Sequence, residues 1–243
     1  MANSTAEIVR KKIEKIEEGA LFAHSSFNFD KSGELSVAKA LSRMAKEGTI
    51  VRFAKGKYYK PRDTVFGKLR PNESAIIEAL TFRNKQRTGY VTGLSVYNRM
   101  GLTTQVPNVL TIATKKPLPP KVMENYKVNY VKRGFDIREQ DISLLQILDA
   151  MCDIKSIPDS YPDATLKILI SRIKTLSEEE RKRLVKLSLN YNASTRALVG
   201  AMMEKYFPRI PVDKLADSLN RLSNYKIKIS GITLPNKSTW NIK

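Results

Sequence analysis

The residues of this chain best suited to chemistry are cations, not nucleophiles or metal ligands. Lys39, Ser42, Arg43 and Lys46, with Ser36 just ahead of them, fall on one side of a helical pattern. Val37, Leu41, Met44 and Ala45 fall on the other. Arg52, Lys55 and Lys57 follow in a run of β-branched and aromatic residues broken by Gly56. Cations so placed can neutralise phosphates, and an Arg facing a base edge can bind guanine through two parallel hydrogen bonds, worth about 1–3 kcal/mol of discrimination. From Ser36 to Arg70, ten Lys and Arg stand against two acids, Glu47 and Asp63. The chemistry indicated is recognition of a polyanion.

The elements that must carry these residues read as a helix, a stop and a hairpin. Ser36 suits an N-cap, and Gly48 suits the left-handed residue that closes a helix. Thr49 to Phe53 and Lys57 to Tyr59 then form two strands around Ala54-Lys55-Gly56. Ahead of them, Thr5 to Glu18 reads as a first helix with Ile8, Val9, Ile13 and Ile16 on one stripe, Leu21 to Ala23 as a short strand, and Phe27 to Ser32 as a turn or short helix. This order is the winged helix-turn-helix plan, over residues 1–65. The exposed candidates for DNA contact are Ser36, Lys39, Ser42, Arg43, Lys46, Arg52, Lys55 and Lys57. Of Tyr58 and Tyr59, adjacent on a strand and so facing opposite ways, at least one belongs to the core.

Catalysis is not indicated. The single histidine, His24, excludes His-rich metal sites, and no Gly-rich phosphate loop is present. Glu178, Glu179 and Glu180 follow Ser177 as the start of a helix, where acids complement the dipole. Cys152, the only cysteine, has no partner for an internal disulfide and is expected buried and inert beside Met151. No enzyme activity, cofactor or metal is expected. A reducing cytoplasm fits, since no signal-peptide core follows the start and no apolar run approaches the ~18 residues of a membrane span. The net charge of +19 favours encounter with nucleic acid without bearing on fold.

The remainder, 66–243, divides in two. Residues 66–138 read as a small α/β unit, after a linker around Pro61, Gly67 and Pro71. Its elements are a helix over Glu73 to Phe82, an extended Tyr90-Val91-Thr92, a short helix from Leu94 to Met100 closed by Gly101, and strands at Val109 to Thr114 and Tyr126 to Val131. Residues 139–243 read as mainly helical. The helices are Ile142 to Met151, Ala164 to Leu176 capped by Asp163, one opening at Ser177, Thr195 to Phe207, and Val212 to Leu222. Lys226 to Leu234 alternates like an edge strand. The fold class is therefore α+β.

Two stretches resemble a known family. ALSRMAKEGTIVRFAKGKYYKP is similar to the end of the winged helix in AbiEi-type antitoxins of type IV toxin–antitoxin (abortive infection) systems. YVTGLSVYNRMGLTTQVPNVLTIAT resembles the next block of the same family, in the same order and at the same spacing. Together they cover roughly residues 20 to 135. The resemblance implies a transcriptional autorepressor that binds operator DNA and counters a nucleotidyltransferase-like toxin, with 66–243 as the antitoxin domain. No Gly-Ser followed by Asp-x-Asp is present, so the chain reads as the regulator and not the toxin. Two other readings use the same residues: a protein-interaction module that neutralises an acidic partner by direct binding, and an RNA-binding regulator.

Overall fold

Helix α1 (Thr5–Glu14) begins where Ser4 and Glu7 satisfy each other. The Glu7 amide donates to the Ser4 hydroxyl at 3.3 Å, and the Ser4 amide donates to the Glu7 carboxylate at 3.1 Å. This computed structural model describes residues 4–243 except 28, 30, 55, 66, 70, 72, 84, 85, 124 and 125, together with the side chains of all but 25, 31, 32, 63, 68 and 126 among those described. The chain forms two compact units, 1–86 with 122–126 and 87–121 with 127–243. Both mix helix and strand, so the class is α+β.

In the first unit α1 is followed by β1 (Leu21–Ala23), a 3₁₀ turn (His24–Phe27), α2 (Lys31–Lys46), β2 (Val51–Ala54) and β3 (Lys57–Tyr59). β3 lies between β1 and β2 and runs antiparallel to both, pairing Phe22 with Tyr58 and Val51 with Tyr59. Gly56, at φ +74°, takes the left-handed turn between β2 and β3. Val9, Ile13, Phe22, Phe27, Val37, Leu41, Met44, Ile50 and Tyr58 make one core. Phe22 anchors it, edge-on to Phe27 at 5.8 Å and stacked on Tyr58 at 6.4 Å. Both Tyr58 and Tyr59 are buried, so the sheet is covered on both faces.

Three expectations in this unit fail. α1 ends at Glu14, not Glu18. Ser36 does not cap α2, which starts five residues earlier at Lys31; packing of Val37, Leu41 and Met44 carries the helix back through Gly33 despite that residue's poor propensity. The expected linker also holds structure, because β4 (Arg62–Thr64) and β5 (Gly67–Leu69) pair as a ribbon. The ribbon is closed where the Thr64 hydroxyl donates to the Gly67 carbonyl at 2.8 Å. α3 (Glu73–Thr81) and β6 (Phe82–Arg83) complete the segment, and β7 (Gln86–Arg87) follows.

In the second unit β8 (Gly89–Thr92), α4 (Leu94–Arg99) and β9 (Val109–Thr114) precede β11 (Tyr126–Lys132), whereas β10 (Lys121–Met123) falls mostly in the segment 122–126 that belongs to the first. β9 is antiparallel to β8 and parallel to β11, pairing Val91 with Ile112 and Val128 with Leu110. Helices α5 (Ile142–Cys152), α6 (Pro162–Lys174), α7 (Glu178–Ser188), α8 (Ala193–Tyr206) and α9 (Asp213–Asp217) follow, then a 3₁₀ turn at Lys237–Trp240. The reciprocal cap expected at Ser177 and Glu180 is present, with bonds of 2.7 and 3.2 Å. Asn192 caps α8 by accepting from the Thr195 amide at 2.8 Å. Arg181, from α7, donates to the Ile173 and Lys174 carbonyls at the end of α6, at 3.0 and 2.7 Å. Carbonyls that the helix itself leaves unpaired are thus satisfied.

The C-terminal expectations need four corrections. The helix expected over Val212 to Leu222 is only the short α9. Lys226 to Leu234 is not a strand: Lys228 sits at φ +61°, and the nearest regular pairing is a single parallel bridge between Tyr225 and Ile242. Its alternation arises because Ile227 and Ile229 pack singly into the unit. Cys152 is half-buried, not buried, and accepts from the Asn192 side chain at 3.4 Å. Asp163 does not cap α6, since Tyr161 holds the N-cap position and Pro162 opens the helix.

Asp163 instead tethers the C-terminal segment, accepting from the Ser230 hydroxyl at 2.6 Å and from the Ser230 amide. Partial burial works against its charge, but the bonds from Ser230 and Thr233 outweigh it and hold the carboxyl below the usual range. A depressed carboxylate stabilises fully above its unfolded pKa and loses that contribution as pH falls through the folded one. Protection against hydrogen exchange over 225–243, measured relative to the intrinsic rate at each pH, should therefore fall once pH drops below about 4. Asp163→Asn should show the lowered protection already at neutral pH.

Candidate nucleic-acid interface

α2 sorts its side chains as the 3.6-residue period requires. Val37, Ala40, Leu41 and Met44 are buried, while Ser36, Lys39, Ser42, Arg43 and Lys46 are exposed. Ser36, Lys39, Arg43 and Lys46 therefore form one outward row, with Ser42 beside it. Arg52 is exposed on β2. Six of the eight expected contact residues thus lie at the surface of one unit, and Lys55 lies outside the described residues. Among the described residues neither Lys39 nor Lys46 makes an ion pair with a protein carboxylate.

Lys57 departs from the expected pattern. Its side chain is half-buried and its ammonium donates to the Ala79 carbonyl of α3. A cation spent on a helix carbonyl fixes α3 against β3 and does not present itself to a ligand. Lys57→Ala should therefore lower stability while leaving the salt dependence of DNA binding unchanged, whereas Lys46→Ala should reduce the log–log salt slope by about 1. A denaturation curve and a salt titration of each variant separate the two roles.

Arg43 has a partner the sequence did not announce. Glu47 lies 3.6 Å from Arg43 and 3.7 Å from Arg10 of α1, so one carboxylate bridges two helices. The i,i+4 spacing of Arg43 and Glu47 could have signalled the first contact. Nothing local could have signalled Arg10.

The other concentration of polar groups is closed. Asp149, on α5, is fully buried and lies 2.8 Å from Arg133. It accepts hydrogen bonds from Tyr90 at 2.9 Å, Thr92 at 2.5 Å and Tyr191 at 2.7 Å. Burial pushes the carboxyl up against the pull of Arg133 and the three hydroxyls. Burial also works against the Arg133 charge, which Asp149 more than restores. The Tyr90, Tyr97 and Tyr191 phenols are all pushed up, first by burial and then by the neighbouring aspartates, and so remain protonated donors. Tyr97 donates to Asp153 at 2.7 Å. The Asp149 carboxylate is fully engaged inside the fold, while the Arg133 Nε is buried without a hydrogen-bond partner among the described residues, and the group joins β8, the residue after β11, α5 and the α7–α8 connection.

Thr92 thereby acquires a structural role. Thr104 donates to Asp159 at 3.3 Å, and the Gln105 amide donates to the Thr103 hydroxyl at 3.2 Å, so these residues shape the loop after α4. Gly93, at φ +74°, also permits the close approach of Thr111, whose Oγ1 would stand 3.0 Å from an added Cβ. Glycine is required there on both counts.

Residues 8–122, somewhat less than half of the chain, match the model of a family described as "Family of unknown function (DUF6088)". No curated protein matches the chain. Among solved structures, the crystal structure of RV2827C protein from Mycobacterium tuberculosis is similar, with a TM-score of 0.52, covering 95% of this chain and 88% of that one at 12% identity. At that identity the likeness is one of fold. Among the described residues no helix is long and apolar enough to cross a membrane.

Proposed function

We propose that the first unit is a winged helix-turn-helix, with α2 as its recognition helix and β2–β3 as its wing, and that the chain binds its own promoter as a transcriptional autorepressor. The observation that carries this reading is the outward row of Ser36, Lys39, Arg43 and Lys46, flanked by Ser42 and by Arg52. A helix so furnished fits the major groove, where Arg43 can reach a base edge and Lys46 a phosphate. The Lys57 position is removed from the set. Resemblance of residues 20 to 135 to AbiEi-type antitoxins supports the second half of the proposal, that the chain counters a nucleotidyltransferase-like toxin.

The test is a gel-shift titration with the chain's own upstream DNA against a scrambled duplex at near-physiological salt. A repressor gives a tight, sequence-dependent shift. With about six phosphates neutralised, log affinity falls against log salt with a slope of about −5. Equal weak binding to both duplexes, or a flat salt response, overturns the DNA reading. Duplex RNA competing as well as DNA would transfer the surface to an A-form ligand.

A further inference from the structure

We propose that Glu47 is a positioning residue for sequence discrimination, a role that rests on the DNA-binding reading above. Between Leu35 and Arg62 it is the only acid, set among eight Lys and Arg. Its location is electrostatically adverse. Its amide still bonds to the Arg43 carbonyl at 2.9 Å, so it continues α2 at the C-terminal end, where the helix dipole repels a carboxylate. Nor does it contribute much to the fold. The Arg43 and Glu47 side chains are 61% and 43% exposed, Arg10 is 55% exposed, and contacts of 3.6 and 3.7 Å in water are weak.

An acid that opposes both the helix dipole and the charge of its surroundings, with little return in stability, has its effect on the arginine it holds. Arg43 has a long side chain that could meet any phosphate within reach. Glu47 competes with that indiscriminate contact, while Arg10 anchors Glu47 from α1. A guanine edge, offering two acceptors in the plane of the guanidinium, outcompetes a solvated carboxylate where a single phosphate oxygen does not. Glu47 thus lowers affinity for every duplex and lowers it least for the operator.

The experiment compares Glu47→Gln with Glu34→Gln, using the full chain and fluorescence anisotropy on the upstream and scrambled duplexes. Glu34 is also exposed and on α2, in its first turn, nearer the end that approaches base edges. The two variants remove the same charge. Positioning by Glu47 predicts that Glu47→Gln tightens scrambled binding several-fold more than upstream binding, so the specificity ratio falls, while Glu34→Gln shifts both duplexes alike. Equal shifts from the two variants, or an unchanged ratio in Glu47→Gln, overturn the role of Glu47 and leave the DNA reading standing. A wild-type chain that does not distinguish the two duplexes overturns both. Unchanged thermal unfolding of Glu47→Gln is expected throughout.

Discussion

Arg43→Glu is expected to abolish the sequence-dependent gel shift while leaving the thermal unfolding curve in place. Three effects add in this one change. A base contact worth about 1–3 kcal/mol is lost. A cation is replaced by an anion facing phosphate, and the new carboxylate stands one helical turn from Glu47, which repels it and keeps only Arg10 of its two partners. Together they should weaken operator binding by at least about 100-fold, each tenfold corresponding to about 1.4 kcal/mol. Arg43→Ala should give an intermediate loss, of about tenfold or more, with relaxed discrimination at one base pair. The fold should be indifferent, because the side chain is exposed and surface pairs contribute about 0–1 kcal/mol. A variant that binds the upstream duplex as tightly as wild type would show that α2 is not the reading element.

The largest effect on stability is expected at Asp149. Asp149→Ala removes the only carboxylate bonded to Arg133 among the described residues and takes an acceptor from three hydroxyls, of which Tyr191 keeps the Leu145 carbonyl. Leaving a buried cation uncompensated costs about 3–5 kcal/mol. Since domains of this kind are stable by about 5–15 kcal/mol, the second unit would be near the edge of folding at room temperature. Asp149→Asn retains the shape and some hydrogen bonds but not the charge, and should fall between wild type and Asp149→Ala. Tyr191→Phe, which deletes one donor and leaves the ion pair, should cost about 1–3 kcal/mol. Urea denaturation of the three variants orders them. An Asp149→Ala protein as stable as wild type would mean the carboxylate makes none of these bonds in solution.

Legibility in the sequence followed the locality of the interaction. The exposed row on α2 was readable because the alternation of Val37, Leu41 and Met44 with Lys39, Arg43 and Lys46 is complete within three turns. The start of α2 was not, since Ser36 offers a cap signal that packing overrides. The β2–β3 hairpin was readable from Gly56 and the β-branched run. The β4–β5 ribbon was hidden by Pro61, Gly67 and Pro71, which punctuate a ribbon as readily as a linker. The half-buried placement of Lys57 was not legible, because the carbonyl it meets lies 22 residues further on. The Asp149 group had one available signal, the only charged residue in the mostly apolar run Ile142 to Cys152, and no local rule names the partners of such an acid. The C-terminal stretch misled for the opposite reason, having the strand period without a neighbouring edge to pair.

The Asp149 network also bears on the order in which the second unit folds. Its partners Tyr90, Thr92 and Tyr191 are 59, 57 and 42 residues away along the chain. Loops of that length close slowly, and none of these bonds can form until sheet and helices have met. A half-assembled unit would hold α5 with an unpaired acid on its apolar face, a species poorer than either the open chain or the finished fold. Intermediates are thereby penalised, and the unit is expected to form in a single kinetic phase, with Asp149→Asn speeding its unfolding more than it slows its folding. Relaxation kinetics that show a populated, compact species before Asp149 is paired would contradict this.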